Sequence, residues 1–324
     1  MKVFVTRRIP QVGLDLLQKE CEVKVNPHER VLTRQELIDG VKEADGLLCL
    51  LTDTIDKEVM DANPKLKIIS NYAVGYNNID VEEATRRGIM VTNTPGVLTD
   101  TTADLTWAIL MCVARRIVEA DRFTRQGKFK QWSPMLFLGS DVHHSTLGIV
   151  GFGRIGRAVA RRARGFEMKV LYTDVRRAPE KVEEELEAKF VFLDELLSSS
   201  DFVSLHAPLL PTTYHLIGEK ELRRMKRTAF LINAARGPLV DEKALVRALK
   251  EGWIAGAALD VYENEPELTP GLAELDNVVL VPHIGSASIA TREKMATMAA
   301  TNLLAGLKGE VPPNLVNREV LKQS

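Results

Sequence analysis

The sequence predicts an α/β protein built on two parallel sheets. Short apolar runs alternate with helical patterns in two successive series, the rhythm of strand–helix–strand units. The runs are apolar throughout rather than alternating, as strands covered on both faces must be. The length of 324 residues accommodates two domains of about 150 residues each. Hydrophobic residues at 45% and charged residues at 27% exclude a disordered, collagen-like or cysteine-stapled chain and provide each unit with a core.

The first series has strand-type runs at residues 3–5, 47–51, 67–70 and 89–92, with helical patterns at 13–19 and 33–41. A long helix follows. Asp100, Thr101 and Thr102 offer N-caps, and Leu105, Ile109, Val113 and Ile117 recur at helical spacing. This helix is expected to run to about Gly127, a C-terminal signal. The second series has strands at 147–150, 168–173, 202–205, 229–233, 256–259 and 278–281. A last helix at 287–307 has no strand after it to close a further unit, and is expected to pack back on the first domain. The charge run at 183–187 is expected on a solvated helix face.

Forty-three basic residues against 44 acidic ones leave a net charge of -1, which signals neither nucleic acid nor membrane as a partner. The first ten residues hold no signal-peptide core, and the longest wholly apolar run, 107–114, is well short of the ~20 residues of a bilayer span. A soluble, cytoplasmic protein is expected. Cys21, Cys49 and Cys112 are odd in number and far apart, which speaks against disulfides or zinc and for buried inert thiols. His28, His143, His144 and His215 lack partners at metal spacing and are expected at the surface, with no metal site.

The strongest motif is Gly151-Phe152-Gly153-Arg154-Ile155-Gly156, which follows a strand and opens a helix. Gly151 permits the tight turn, Gly153 the approach of a pyrophosphate, and Gly156 close packing of helix on strand. The pyrophosphate would rest on the helix N-terminus, where N–H groups point outward. The next strand ends in Asp174, 18 positions after Gly156, where a carboxylate can accept hydrogen bonds from a ribose diol. That favours NAD(H), because a 2′-phosphate is repelled by a carboxylate. Arg176 and Arg177 either pair with such a phosphate, which would admit NADP(H), or are surface charges.

Arg236, Glu265 and His283 follow the strands at 229–233, 256–259 and 278–281, on the edge where open parallel sheets bind ligands. The set suits carbonyl reduction. An imidazolium donates a proton, a carboxylate orients and favours the charged ring, and a planar guanidinium grips a carboxylate or carbonyl. His206, at the end of the 202–205 strand, is either structural or at the cofactor edge.

Along nearly its whole length the chain resembles the D-isomer-specific 2-hydroxyacid dehydrogenases. The residues that carry the likeness are Asn71-Tyr72-Ala73-Val74-Gly75, the glycine motif, His206-Ala207-Pro208-Leu209, Asn233-Ala234-Ala235-Arg236-Gly237, the stretch from Ala258 through Asp260, Tyr262 and Glu265 to Pro266, and Pro282-His283-Ile284-Gly285. Phe137-Leu138-Gly139 and Leu315-Val316-Asn317-Arg318 narrow the likeness to glyoxylate/hydroxypyruvate reductases.

The resemblance implies two doubly wound parallel-sheet domains, the second a Rossmann dinucleotide-binding domain. The substrate domain would be residues 1–99 plus 287–324, and the dinucleotide domain 100–286, opening with a dimerisation helix. It implies NAD(P)H-dependent reduction of glyoxylate or hydroxypyruvate, with Arg236, Glu265 and His283 catalytic. Val74 and Gly75 would hold the substrate carboxylate by their N–H groups, with Ser286 beside the catalytic histidine. Thr102 would lie near the nicotinamide, backbone groups at Ala234 and Arg236 would meet the cofactor, and Asp260 would contact its carboxamide. A small 2-keto or 2-hydroxy acid and a second copy of the chain are the partners implied. The alternatives are a phosphoglycerate dehydrogenase-like enzyme and a dinucleotide-sensing, corepressor-like scaffold.

Overall fold

The computed structural model describes residues 1–322; the last two positions of the expected first domain lie outside them. The chain divides into two compact units, Met1–Leu98 with Ala287–Ser324, and Thr99–Ser286.

The first unit carries β1 (Lys2–Val5), α1 (Gln11–Gln18), β2 (Glu22–Val25), α2 (Arg34–Val41), β3 (Gly46–Cys49), α3 (Lys57–Asp61), β4 (Ile68–Asn71), α4 (Val81–Arg86) and β5 (Met90–Thr92). The second carries α5 (Thr99–Ala114), α6 (Ile117–Arg125), β6 (Thr146–Val150), α7 (Arg154–Ala163), β7 (Lys169–Thr173), α8 (Glu180–Leu186), β8 (Ala188–Phe190), α9 (Leu193–Ser199), β9 (Phe202–Leu205), α10 (Glu219–Arg224), β10 (Phe230–Asn233), α11 (Glu242–Lys250), β11 (Gly256–Leu259) and β12 (Val278–Leu280). The chain then returns to the first unit with α12 (Ile289–Leu307).

Both sheets are parallel throughout. The first has the order β2-β1-β3-β4-β5 and the second β12-β11-β10-β9-β6-β7-β8. Each order reverses once, between β1 and β3 and between β6 and β9, and ligands of open α/β sheets bind at such switch points. The central strands β3, β4, β9, β10 and β11 are buried at every position, which is why they read as continuous apolar runs. The helix α12 packs on α1, β3, β4 and β5. Ser70 Oγ donates to Ala299 O at 2.9 Å, tying that helix to the sheet.

Three expectations are corrected. The long helix is two helices, because Arg116 takes a left-handed conformation (φ 55°) and ends α5. The returning chain caps the break: Ser140 N–H donates to Ala114 O at 2.8 Å, and the Arg116 guanidinium lies over the Phe137 ring, pairing also with Glu119. The charge run is not wholly solvated either. Glu183 is buried at 9% exposure and holds Tyr172 Oη at 2.5 Å together with the Arg177 guanidinium. Of the three cysteines, only Cys49 is buried; Cys21 and Cys112 are half-buried.

Candidate active site

The glycine motif joins β6 to α7 at the switch point of the second sheet. Gly151 has φ 93°, and a Cβ there would fall 2.6 Å from Ala207 N, so the turn after β6 and the turn after β9 pass each other only with glycine. Gly153 is the N-cap of α7, with no side-chain cap, and a Cβ there would meet nothing within 4 Å. Open space lies over the first turn of a ten-residue helix, whose N–H groups have no partner inside the helix. That cradle suits a pyrophosphate, with Arg154 exposed and Ile155 half-buried beside it and Gly156 buried against Gly151 O. Asp174, at the end of β7, leans over the same turn, its Oδ2 accepting from Phe152 N–H at 2.6 Å. Arg176 is exposed next to it. Arg177 is turned the other way, into the pair with Glu183.

Arg236, Glu265 and His283 all stand beyond the C-terminal ends of β10, β11 and β12. His283 Nδ1 meets Glu265 Oε2 at 2.8 Å. The other carboxylate oxygen, Oε1, accepts from Tyr262 N–H at 3.0 Å. Burial alone would raise the Glu265 pKa, but the hydrogen bond and charge of His283, the Tyr262 N–H and the Arg236 cation hold it below its ordinary value. Burial draws the Arg236 guanidinium below its usual value, with Glu265 acting against it; a guanidinium remains a cation at neutral pH. Arg236 Nη1 donates to Ala235 O at 2.6 Å, and Ala234 before it is buried.

His283 has φ 53°, a left-handed conformation that costs a non-glycine residue about 1–2 kcal/mol. What offsets the cost is Asp260. Its carboxylate is buried and accepts from the two N–H groups that follow, Ile284 at 2.6 Å and Gly285 at 2.8 Å. Burial raises the Asp260 pKa, with those two N–H groups and His283 acting against the rise. The Asp260 carboxylate, which the resemblance assigns to the cofactor carboxamide, also holds the backbone that presents His283. Thr102 is buried in the first turn of α5, beside Gly285, and Ser286 is half-buried next in the chain.

Sequence reasoning missed the framework behind these residues. Tyr262 Oη donates to Val281 O at 2.9 Å, the same oxygen that takes His283 N–H at 3.1 Å. Burial, then Asp260 and Glu265, push its phenol up to about 12, so it stays a donor. Glu242, at the start of α11 and buried, accepts from Glu263 N–H at 2.7 Å, while Glu263 accepts from Glu242 N–H at 3.3 Å. Gly237 lies so close to this loop that a Cβ would collide with the Tyr262 carbonyl. His215 is no free surface residue, since its Nε2 meets Glu263 Oε1 at 2.8 Å. His28, His143 and His144 are exposed.

On the first unit, the Val74–Gly75 loop follows β4. Asn93 Nδ2 donates to Val74 O and Asn71 Nδ2 to Gly75 O, each at 2.8 Å, fixing how the loop faces. Asn71 also donates to Asn78 Oδ1 at 3.1 Å, and Asn78 to the carbonyls of Leu50 and Asp53 in the turn after β3. Among the described residues no group of His, Cys, Asp or Glu is arranged to hold a metal ion, and no helix is long and apolar enough to cross a membrane.

The family model for the D-isomer specific 2-hydroxyacid dehydrogenase, NAD binding domain, matches residues 107–285. The chain belongs to the D-isomer-specific 2-hydroxyacid dehydrogenases. It is an NAD(P)-dependent oxidoreductase. This dehydrogenase is 57% identical to the glyoxylate reductase of Thermococcus gammatolerans over 99% of its own length and 97% of that protein's. A solved structure of a Thermus thermophilus protein superposes with a TM-score of 0.92 at 50% identity, covering 98% of this chain and 100% of the other. The NADPH-dependent glyoxylate/hydroxypyruvate reductase of Sinorhizobium meliloti superposes at 0.86 with 32% identity, over 98% of each chain.

His206 gives a pH signature. Its Nε2 meets Ser204 Oγ at 2.8 Å, its Nδ1 is buried without a partner, and burial pushes the ring down from 6.5 to about 4. Above pH 6.5 the ring is neutral whether folded or unfolded. As the pH falls towards 4 the unfolded chain takes up a proton that the folded ring refuses, and stability is lost. The loss between pH 7.5 and 4.5 should be about 2–3 kcal/mol smaller in His206→Gln than in the unsubstituted protein. Urea unfolding at the two pH values measures it; equal slopes would show that the ring accepts a proton in the fold.

Proposed function

We propose that this dehydrogenase reduces glyoxylate or hydroxypyruvate to glycolate or D-glycerate, with NADH as the favoured cofactor. The observation that carries the reading is the hydrogen bond between His283 Nδ1 and Glu265 Oε2, at 2.8 Å. It commits Nδ1–H to the carboxylate and leaves Nε2 to exchange a proton with substrate. The overall identity to glyoxylate reductases supports the choice of acids. Neither a phosphoglycerate dehydrogenase-like enzyme nor a corepressor-like scaffold gains support from these relatives.

A bound nicotinamide supplies the hydride that C2 of the keto acid receives. Protonated His283 gives the carbonyl oxygen its proton from Nε2, and Glu265 orients the ring and stabilises its charge. Arg236 holds the carboxylate or polarises the carbonyl with two parallel donors; on the first unit, the Val74 and Gly75 N–H groups are the donors suited to a carboxylate. Ser286 lies beside His283. Gly153, Arg154 and Ile155 would hold the pyrophosphate on a turn that Gly151 and Gly156 make possible, with Thr102 and Asp260 towards the nicotinamide and the Ala234 backbone against the cofactor. Asp174 takes the ribose diol, and Arg177, held by Glu183, is not free to recruit a 2′-phosphate; Arg176 is the cation still available for one.

A homodimer is part of the proposal. The helix α6 buries none of its residues, and Ile117, Val118, Phe129, Trp132, Met135 and Leu138 are exposed along it and the segment after it. An apolar stretch of this kind marks an association surface.

Purified protein should oxidise NADH with glyoxylate or hydroxypyruvate, and faster than NADPH at equal concentration. Asp174→Ser should narrow that preference by about tenfold or more in kcat/KM, since it removes the carboxylate and keeps Arg176. Absence of turnover with both acids would overturn the reading; an unchanged preference would place Asp174 away from the ribose.

Glu265→Gln tests the proton donor. The substitution keeps the shape of the side chain and deletes the carboxylate that accepts from His283 Nδ1. kcat/KM for keto-acid reduction at pH 7 should fall by about tenfold or more, while KM for NADH stays within about twofold. An unchanged kcat/KM would show that Glu265 does not serve His283.

A further inference from the structure

The first sheet reverses its strand order between β1 and β3, and an arginine stands at that point. Arg7 is the second residue beyond β1. Its Nη2 donates to Thr52 Oγ1, in the turn after β3, at 3.2 Å. Its Nε is buried and has no partner. Among the described residues four buried side-chain nitrogen or oxygen atoms lack a partner, and this is the one that belongs to a cationic side chain. A buried charged donor left unpaired is unfavourable and calls for an explanation. The carboxylate on the adjoining turn is no partner of that Nε either; Asp53 Oδ2 accepts from Thr6 Oγ1 at 2.5 Å and from Leu50 N–H at 2.8 Å.

The same bonds make the arginine part of one platform. Asp53 links the turns after β1 and β3, Asn78 links the turn after β3 to Asn71, and Asn71 holds the Gly75 carbonyl. The strand order β1-β3-β4 sets Arg7 two strands from the Val74–Gly75 loop, about 10 Å at the usual spacing. The side chain of Arg7 and an acid of three or four carbons together span that distance. Glyoxylate, with two carbons, ends at C2 and has nothing to offer a donor there.

We propose that Arg7 and Thr52 form a subsite on the first unit for an acceptor oxygen carried beyond C2 of the keto acid, making hydroxypyruvate-type acids the preferred substrates over glyoxylate. The free Nε–H and the Thr52 hydroxyl proton are the donors, and the C3 oxygen of hydroxypyruvate is the simplest acceptor. This rests on the keto-acid reductase reading above and specifies its substrate class.

The test is the ratio of kcat/KM for hydroxypyruvate to that for glyoxylate at saturating NADH, in the unsubstituted protein, Arg7→Met and Arg7→Lys, each checked for folding by circular dichroism. In Arg7→Met the ratio should fall by about tenfold or more, mainly through KM for hydroxypyruvate. Arg7→Lys, which keeps the charge and loses the Nε donor, should lower it by about threefold or more and serves alone if the methionine variant does not fold. A ratio within about twofold of the original in the folded variants, whether both rates fall together or neither does, overturns the subsite. Should the unsubstituted protein reduce neither acid, the functional reading fails separately. Calorimetry then decides the subsite: D-glycerate binding more tightly than glycolate, with the advantage lost in the variants, supports it, and equal binding overturns it.

Discussion

A single hydrogen bond, from His283 to Glu265, organises the chemistry of the second unit, and much of the surrounding structure exists to hold its two ends. His283 sits in a left-handed backbone that imidazole side chains adopt at a cost. The buried Asp260 carboxylate, gripping the next two N–H groups, makes that conformation favourable where it stands. Tyr262 ties the loop of Glu265 to the carbonyl preceding the histidine. Glu242 and Glu263 brace the same loop by exchanging backbone hydrogen bonds, and Gly237 lets the turn of Arg236 press against it.

Both units place their chemistry by the same rule. In a parallel sheet all carboxyl ends lie on one edge, and the reversal of strand order opens a gap there. In the second unit the gap holds the glycine turn after β6 and the turn after β9, packed so closely that Gly151 admits no side chain. In the first it holds Arg7 and the turn after β3. At that edge Asp174 reaches over the glycine turn, while Glu183 pulls Arg177 away from it.

The parts of this arrangement legible in sequence are those with strong local signals. Central strands, covered on both faces, are unbroken apolar runs, and all ten of the expected runs coincide with strands. The two strands passed over, β2 and β8, lie at sheet edges. In β2 the residues Glu22 and Lys24 are exposed, so its apolar signal is diluted by the charges that protect an edge. The break at Arg116 is hidden because helical periodicity continues through it, and the segment that caps it returns only later in the chain, at Phe137 and Ser140. Arg236, Glu265 and His283 were legible because each follows a strand. Glu242, Tyr262 and Arg7 were not, because what distinguishes them is a partner, or an unfilled bonding position, supplied by distant chain.

The claim on which the rest depends is that Glu265 and His283 act as one unit, and a double-mutant cycle addresses it most directly. The quantity is kcat/KM for keto-acid reduction at pH 7 in Glu265→Gln, His283→Gln and the double variant. Groups that act together are non-additive. The structure predicts that the double variant is no slower than His283→Gln alone to within about threefold, because the carboxylate has no task without the ring. Losses that multiply, so that the double variant is slower by the full factor of Glu265→Gln, would show two independent contributions and contradict it.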